Sequence, residues 1–126
     1  MKRLLTALLL CALAAPASAQ DLPRLTIEQQ TLLRCSATFA LVAGEQAKGD
    51  PAALRYPTLG ERGREYFVRS AAKLTDELGV PRETVMALLN REAGRVKAER
   101  AAAGDPAEIT DRIMRTCLVS LIASGL

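Results

Sequence analysis

The sequence predicts an all-α fold: a four-helix bundle-like domain, behind a cleaved signal peptide, with one disulfide joining its first and last helices. Three observations carry that expectation. Four segments beyond residue 26 place apolar residues three and four apart between recognisable helix starts and stops. Cys35 and Cys117 each stand in such an apolar stripe, near opposite ends of the domain. Lys2 and Arg3, the apolar run 4–15 and then Ala17-Ser18-Ala19 have the three-part layout of an export leader cut before Gln20. Export would place the two remaining cysteines where disulfides persist.

The leader's apolar run is shorter than the roughly 20 residues that a spanning helix needs, which favours cleavage over anchoring. Cys11 follows Leu10 inside the run instead of closing it after a small residue, so it is not read as an acylation site. The expected organisation is therefore a signal peptide over 1–19 and a single helical domain over 20–126, periplasmic or secreted. No later stretch is apolar enough for a membrane span. The formal net charge of +3 includes Lys2 and Arg3, so the domain itself is close to neutral with its charges mixed. That balance argues against nucleic acid or an anionic membrane surface as a partner. Phe39, Phe67, Tyr56 and Tyr66 are the aromatic residues and Trp is absent, so aliphatic side chains must fill one small core.

Thr26-Ile27-Glu28-Gln29 has the pattern of a capping box and predicts a first helix over about 27–48, with Leu32, Cys35, Phe39 and Val42 inward and Gly49 as a left-handed stop. Asp50-Pro51 and Tyr56-Pro57 bound a connector. A second helix is expected to start between Thr58 and Glu61 and to reach Leu78, burying Phe67, Ala71, Leu74 and Leu78, with Gly79 as stop. Gly60 and Gly63 weaken its first turn. Pro81 at a first helical position opens a third helix to about Ala103, on a stripe of Val85, Leu88, Leu89 and Val96. After Val96 the stripe gives way to Lys97, Glu99, Arg100 and alanines, so that end is expected to project into solvent with Arg95 and Glu99 paired on its surface. Asp105-Pro106-Ala107-Glu108 supplies a second capping box, and Ile109, Ile113, Cys117 and Leu121 repeat every four residues to near Ser124.

Packing the first stripe on the last brings Cys35 to Cys117. A bridge there closes a loop of about 82 residues, which in the chain-entropy model stabilises the fold by roughly 4 to 4.5 kcal/mol. The mature cysteines are far apart and on inward stripes, so the pair is read as structural, not as a redox motif.

No histidine occurs anywhere in the chain. That removes the usual general base near neutral pH, the commonest metal ligand and the Cys-x-x-Cys-His haem attachment. Gly60-Glu61-Arg62-Gly63 has neither the preceding strand nor the following Lys-Ser/Thr of a phosphate loop. No enzyme, metal or cofactor is therefore expected. The one segment that invites a ligand is 59–69, where Glu61 and Glu65 lie one helical turn apart beside Arg62, Tyr66 and Arg69. Those residues are the candidate small-ligand or anion site, or the centre of a minimal enzyme. The competing reading is a solvated helix start in which Glu65 pairs with Arg69 and arginines 62 and 64 meet acidic neighbours.

Residues 33–40, Leu-Arg-Cys-Ser-Ala-Thr-Phe-Ala, and 60–70, Gly-Glu-Arg-Gly-Arg-Glu-Tyr-Phe-Val-Arg-Ser, resemble uncharacterised small exported helical proteins of alphaproteobacteria. That resemblance covers most of the mature chain and implies no particular activity. Leu25-Thr26-Ile27-Glu28-Gln29 is similar to the Leu-Thr-x-x-Gln motif of Spy-like periplasmic chaperones, present once here where that family has two copies. The expected function is a non-enzymatic protein-binding or envelope-stress module with a protein partner, acting through an apolar groove or a mobile third helix. A small-ligand binder centred on residues 61–69 is the alternative, and a bundle that assembles with itself as a homo-oligomer is a third reading.

Overall fold

The structure is a computed structural model that describes residues 24–126; the expected signal peptide, 1–19, lies outside the described residues. Thr26 starts the first helix, α1 (Ile27–Ala47), through the reciprocal bonds its sequence promised: its hydroxyl accepts from the Gln29 N–H at 3.1 Å, and the Gln29 side-chain oxygen accepts from the Thr26 N–H at 3.0 Å. The chain leaves α1 at Gly49, whose φ of +76° lies where a side chain would be strained. Gln46 then orders the connector. Its side-chain nitrogen donates to the carbonyls of Ala53, Tyr56 and Pro57, and its oxygen accepts from the Leu59 N–H at 3.1 Å. A single 3₁₀ turn, Ala53–Arg55, lies within this loop.

Helix α2 (Gly60–Leu78) has Leu59, fully buried, at its start and Gly79 in the left-handed region at its end. Gly63 has a structural purpose beyond weakening the first turn. A Cβ there would sit 3.2 Å from the Phe39 Cβ, so the missing side chain lets α1 and α2 approach closely. Helix α3 (Arg82–Ala102) begins one residue later than predicted: Pro81 has an extended ψ of 151° and stands just before the helix, its carbonyl accepting from the Thr84 N–H at 2.9 Å. Helix α4 (Pro106–Ala123) is capped by Asp105, whose carboxylate accepts from the Ala107 N–H at 3.0 Å. Glu108 does not complete a capping box; it pairs with Arg112 one turn on.

These four helices form a bundle in which α1 packs on the other three, with no strand among the described residues. The core has two parts. One is built around Phe39, Val42, Leu59, Tyr66, Met114 and Leu121 and contains the bridge; the other joins Leu33 and Leu74 to Val85, Leu88 and Leu89 of α3. Cys35 and Cys117 are bonded, with Cα atoms 5.1 Å apart, and tie α1 to α4. Among the described residues no helix is long and apolar enough to cross a membrane.

Two expectations fail here for the same reason. The end of α3 does not project into solvent, and Arg95 does not pair with Glu99. Glu92 occupies an inward position of the α3 stripe and recruits Arg95 at 3.1 Å, which leaves Glu99 to reach across to Arg34 of α1 at 2.6 Å. Cross-helix ion pairs thus hold the segment that apolar packing leaves off.

Candidate functional site

Helix α2 splits the predicted ligand segment between two faces. Glu61 is exposed on the first turn, and Glu65 pairs with Arg69 at 2.7 Å on the same outward side. Arg62 is partly buried and donates to the Leu126 carbonyl at 2.6 Å, so it ties α2 to the end of the chain instead of meeting an acidic neighbour. Tyr66 points the other way. It is 1% exposed, its ring meets Phe39 edge-on with centroids 5.1 Å apart, and its hydroxyl lies 2.7 Å from that of Ser120 on α4. The five residues therefore do not converge on one ligand position. Burial holds the Tyr66 phenol above its ordinary value.

Two of the five, Tyr66 and Arg69, do share a groove. It measures about 340 Å³ and runs between the start of α1, the middle of α2 and the end of α4. Glu28, Thr31, Ser70, Lys73, Ser120 and Ser124 complete its polar lining. Arg69 also donates to the Ser124 carbonyl at 3.3 Å, and Lys73 is paired with Glu28, which raises the ammonium above its usual range. Lys73 was within reach of sequence reasoning, since it follows Arg69 by four residues on the same side of α2. Ser120 was less so, because only the register set by the bridge brings it opposite Tyr66.

A second polar centre was missed altogether. The Arg34 guanidinium donates to Glu92 at 3.0 Å and, through both terminal nitrogens, to Glu99 at 3.1 and 2.6 Å. The hydrogen bond from Arg34 holds the Glu99 carboxyl below its usual range, and Glu99 in turn raises Arg34. Glu92 is 8% exposed. Its signal was present in the sequence: a carboxylate within the stripe that carries Val85, Leu89 and Val96 must find a cation or stay unburied.

The third centre lies where the connector meets α4. Asp111 accepts from the Tyr56 hydroxyl and pairs with Arg55, while Arg100 of α3 pairs with Glu45 of α1 at 2.6 Å. Burial, followed by the bond to Asp111, pushes the Tyr56 phenol up to about 12. The same bond holds the Asp111 carboxyl below its ordinary value. A cleft of about 270 Å³ opens beside this cluster.

In the three centres the surroundings favour the charged forms of Arg34, Lys73, Glu99 and Asp111 and the uncharged phenols of Tyr56 and Tyr66. Among the described residues no three Asp, Glu, Cys or His side chains converge as a metal site would require. Comparison with protein-family models, with curated proteins and with solved structures returns no match to this chain.

Proposed function

We propose that this chain is a non-enzymatic protein-binding or envelope-stress module of the periplasm, and that it meets its partner with the C-terminal end of α4. One observation carries the reading. Val119 and Ile122, 68% and 69% exposed, lie three residues apart on the outward side of a helix whose other side is core. From Thr116 to Leu126 that end has no charged side chain, in a chain where 25% of residues are charged. An uncharged helix end with aliphatic side chains at helical spacing is the chemistry by which helices seat in apolar grooves of other proteins. Support for an extracytoplasmic location comes from the bridge, which is compatible with an oxidising compartment.

The test is aggregation of an unfolded client at neutral pH, with the oxidised protein and a V119D/I122D variant of unchanged fold. Suppression by the parent and its loss in the variant is expected. Equal suppression by both would move the contact surface elsewhere, and no suppression by either would remove the chaperone form of the proposal. The small-ligand reading draws on the groove at Tyr66, where the ion pairs of Arg69 and Lys73 are exposed and a stronger anion would displace them at little cost. An R62E/R69E variant that folds normally and still binds every anion the parent binds would dismiss it.

A further inference from the structure

Helix α3 is held to α1 in two different ways along its length. Its first half places Val85, Leu88 and Leu89 in the apolar cluster with Leu33 and Leu74. Within α3 from Glu92 onward Val96 is the one buried apolar side chain, and Lys97, Ala98, Ala101 and Ala102 face solvent. What replaces packing is charge. Arg34 holds Glu92 and Glu99, Arg95 adds a second bond to Glu92, and Glu45 holds Arg100.

Three carboxylates therefore fasten residues 92–102, and their surroundings are rich in cations. Around Arg34 stand Glu92, Glu99 and Arg95 of α3, with Arg112 of α4 on the cleft that passes the bridge. Around Glu45 and Arg100 stand Asp50, Arg55 and Tyr56 of the connector and Asp105 at the start of α4. Protonating the carboxylates leaves Arg34 beside Arg95 and Arg112 in one cluster and Arg100 beside Arg55 in the other, so attraction turns into repulsion at both. The covalent α1–α4 seam and the first half of α3 are instead held by apolar clusters with no carboxylate in them, and Glu83 stands exposed at the start of α3.

We propose that residues 92–102 are an acid-released strap: below about pH 4, the carboxylate range, they leave α1 as a unit while the bridge and the first half of α3 stay in place. Release withdraws Val96 from the cluster it shares with Phe39, Val42 and Met114 and opens an apolar face that is closed at neutral pH. The sign is fixed by linkage. Glu99 is held below its ordinary value in the folded state, so its contribution is complete above the unfolded value and disappears as the pH falls through the folded one. This inference stands on the ion pairs alone and is independent of the partner surface proposed above.

Hydrogen exchange of the oxidised protein at pH 7 and pH 3, corrected for intrinsic rates and read by mass spectrometry on peptides from each half of α3, tests it. Protection over 92–102 should fall at least about tenfold more than protection over 82–91 or α1. An E45Q/E92Q/E99Q variant should show the same local loss at pH 7. An R34M/E92L/E99L variant, with apolar side chains in place of the clasp, should keep the segment protected at pH 3. A uniform loss across all four helices, no loss at pH 3, or release of the R34M/E92L/E99L variant at the parent's pH would each overturn the proposal.

Discussion

Helix α1 presents two seams to its neighbours, and they are built from opposite materials. Towards α4 it offers Cys35, Phe39 and Val42, and the contact is closed by a covalent bond inside an apolar cluster. Towards the far half of α3 it offers Arg34 and Glu45, and the contact is closed by carboxylates. Water competes for the second seam and not for the first. The pair teaches that one helix can carry a permanent joint and a conditional one on adjacent sides, with the choice made by side chains next to each other in sequence, Arg34 and Cys35.

The largest expected effect is on the permanent joint. A C35A/C117A variant loses the closure of a loop spanning 82 residues, and its unfolding free energy in denaturant should fall by about 4 kcal/mol. For a domain of ordinary stability, about 5 to 15 kcal/mol, that is a large fraction. A loss below about 1 kcal/mol would mean that the apolar seam alone holds α4, and the contrast between the two seams would narrow to chemistry without consequence.

The two seams also differ in how well the sequence discloses them. The covalent one is legible because both cysteines stand in apolar repeats: Phe39 and Val42 follow Cys35, and Ile113 and Leu121 flank Cys117 four residues away on either side. Periodicity alone puts the sulfurs inside. The ionic one is not legible because a stripe is recognised by its apolar members, and Glu92 breaks the stripe at the position where it matters. Read locally, Arg95 and Glu99 satisfy each other at four-residue spacing, and the end of α3 has no reason to touch anything. Only the docked position of α1 shows that Arg34 offers Glu99 a two-pronged partner, which a neighbour on the same helix does not match. Tyr66 is hidden by the reverse error. The residues just before it, Arg64 and Glu65, are charged, so it reads as part of a ligand cluster, yet its ring is core and only the hydroxyl needed a polar partner.

An intermediate effect distinguishes the buried end of the clasp. Arg34→Ala leaves Glu92, 8% exposed, with Arg95 as its remaining partner and strands Glu99 beside it. A loss of about 2 kcal/mol is expected, below the figure for a fully buried pair because the Arg34 side chain is 30% exposed. Replacing the cation and both carboxylates together, as R34M/E92L/E99L, should recover most of that loss. Measured side by side in denaturant, an equal loss in both variants would show that the Arg34 stem, and not its charge, does the holding.

The smallest effect belongs to the outer end, and it sharpens the comparison most. Arg100→Gln keeps a hydrogen-bonding side chain of similar reach but removes the charge opposite Glu45. Both members of that pair are partly open, with side-chain exposures of 22% and 27%, so solvent already screens much of their attraction. The expected loss is under about 1 kcal/mol, and added salt should erase most of it in the parent. If the ionic seam is anchored at Glu92, the most buried of its three carboxylates, then Arg34→Ala and Arg100→Gln must differ by at least a factor of two in their cost. Equal costs would make the far half of α3 a single rigid lever, in which breaking either contact frees both, and the difference between the inner and outer pairs would have no energetic meaning.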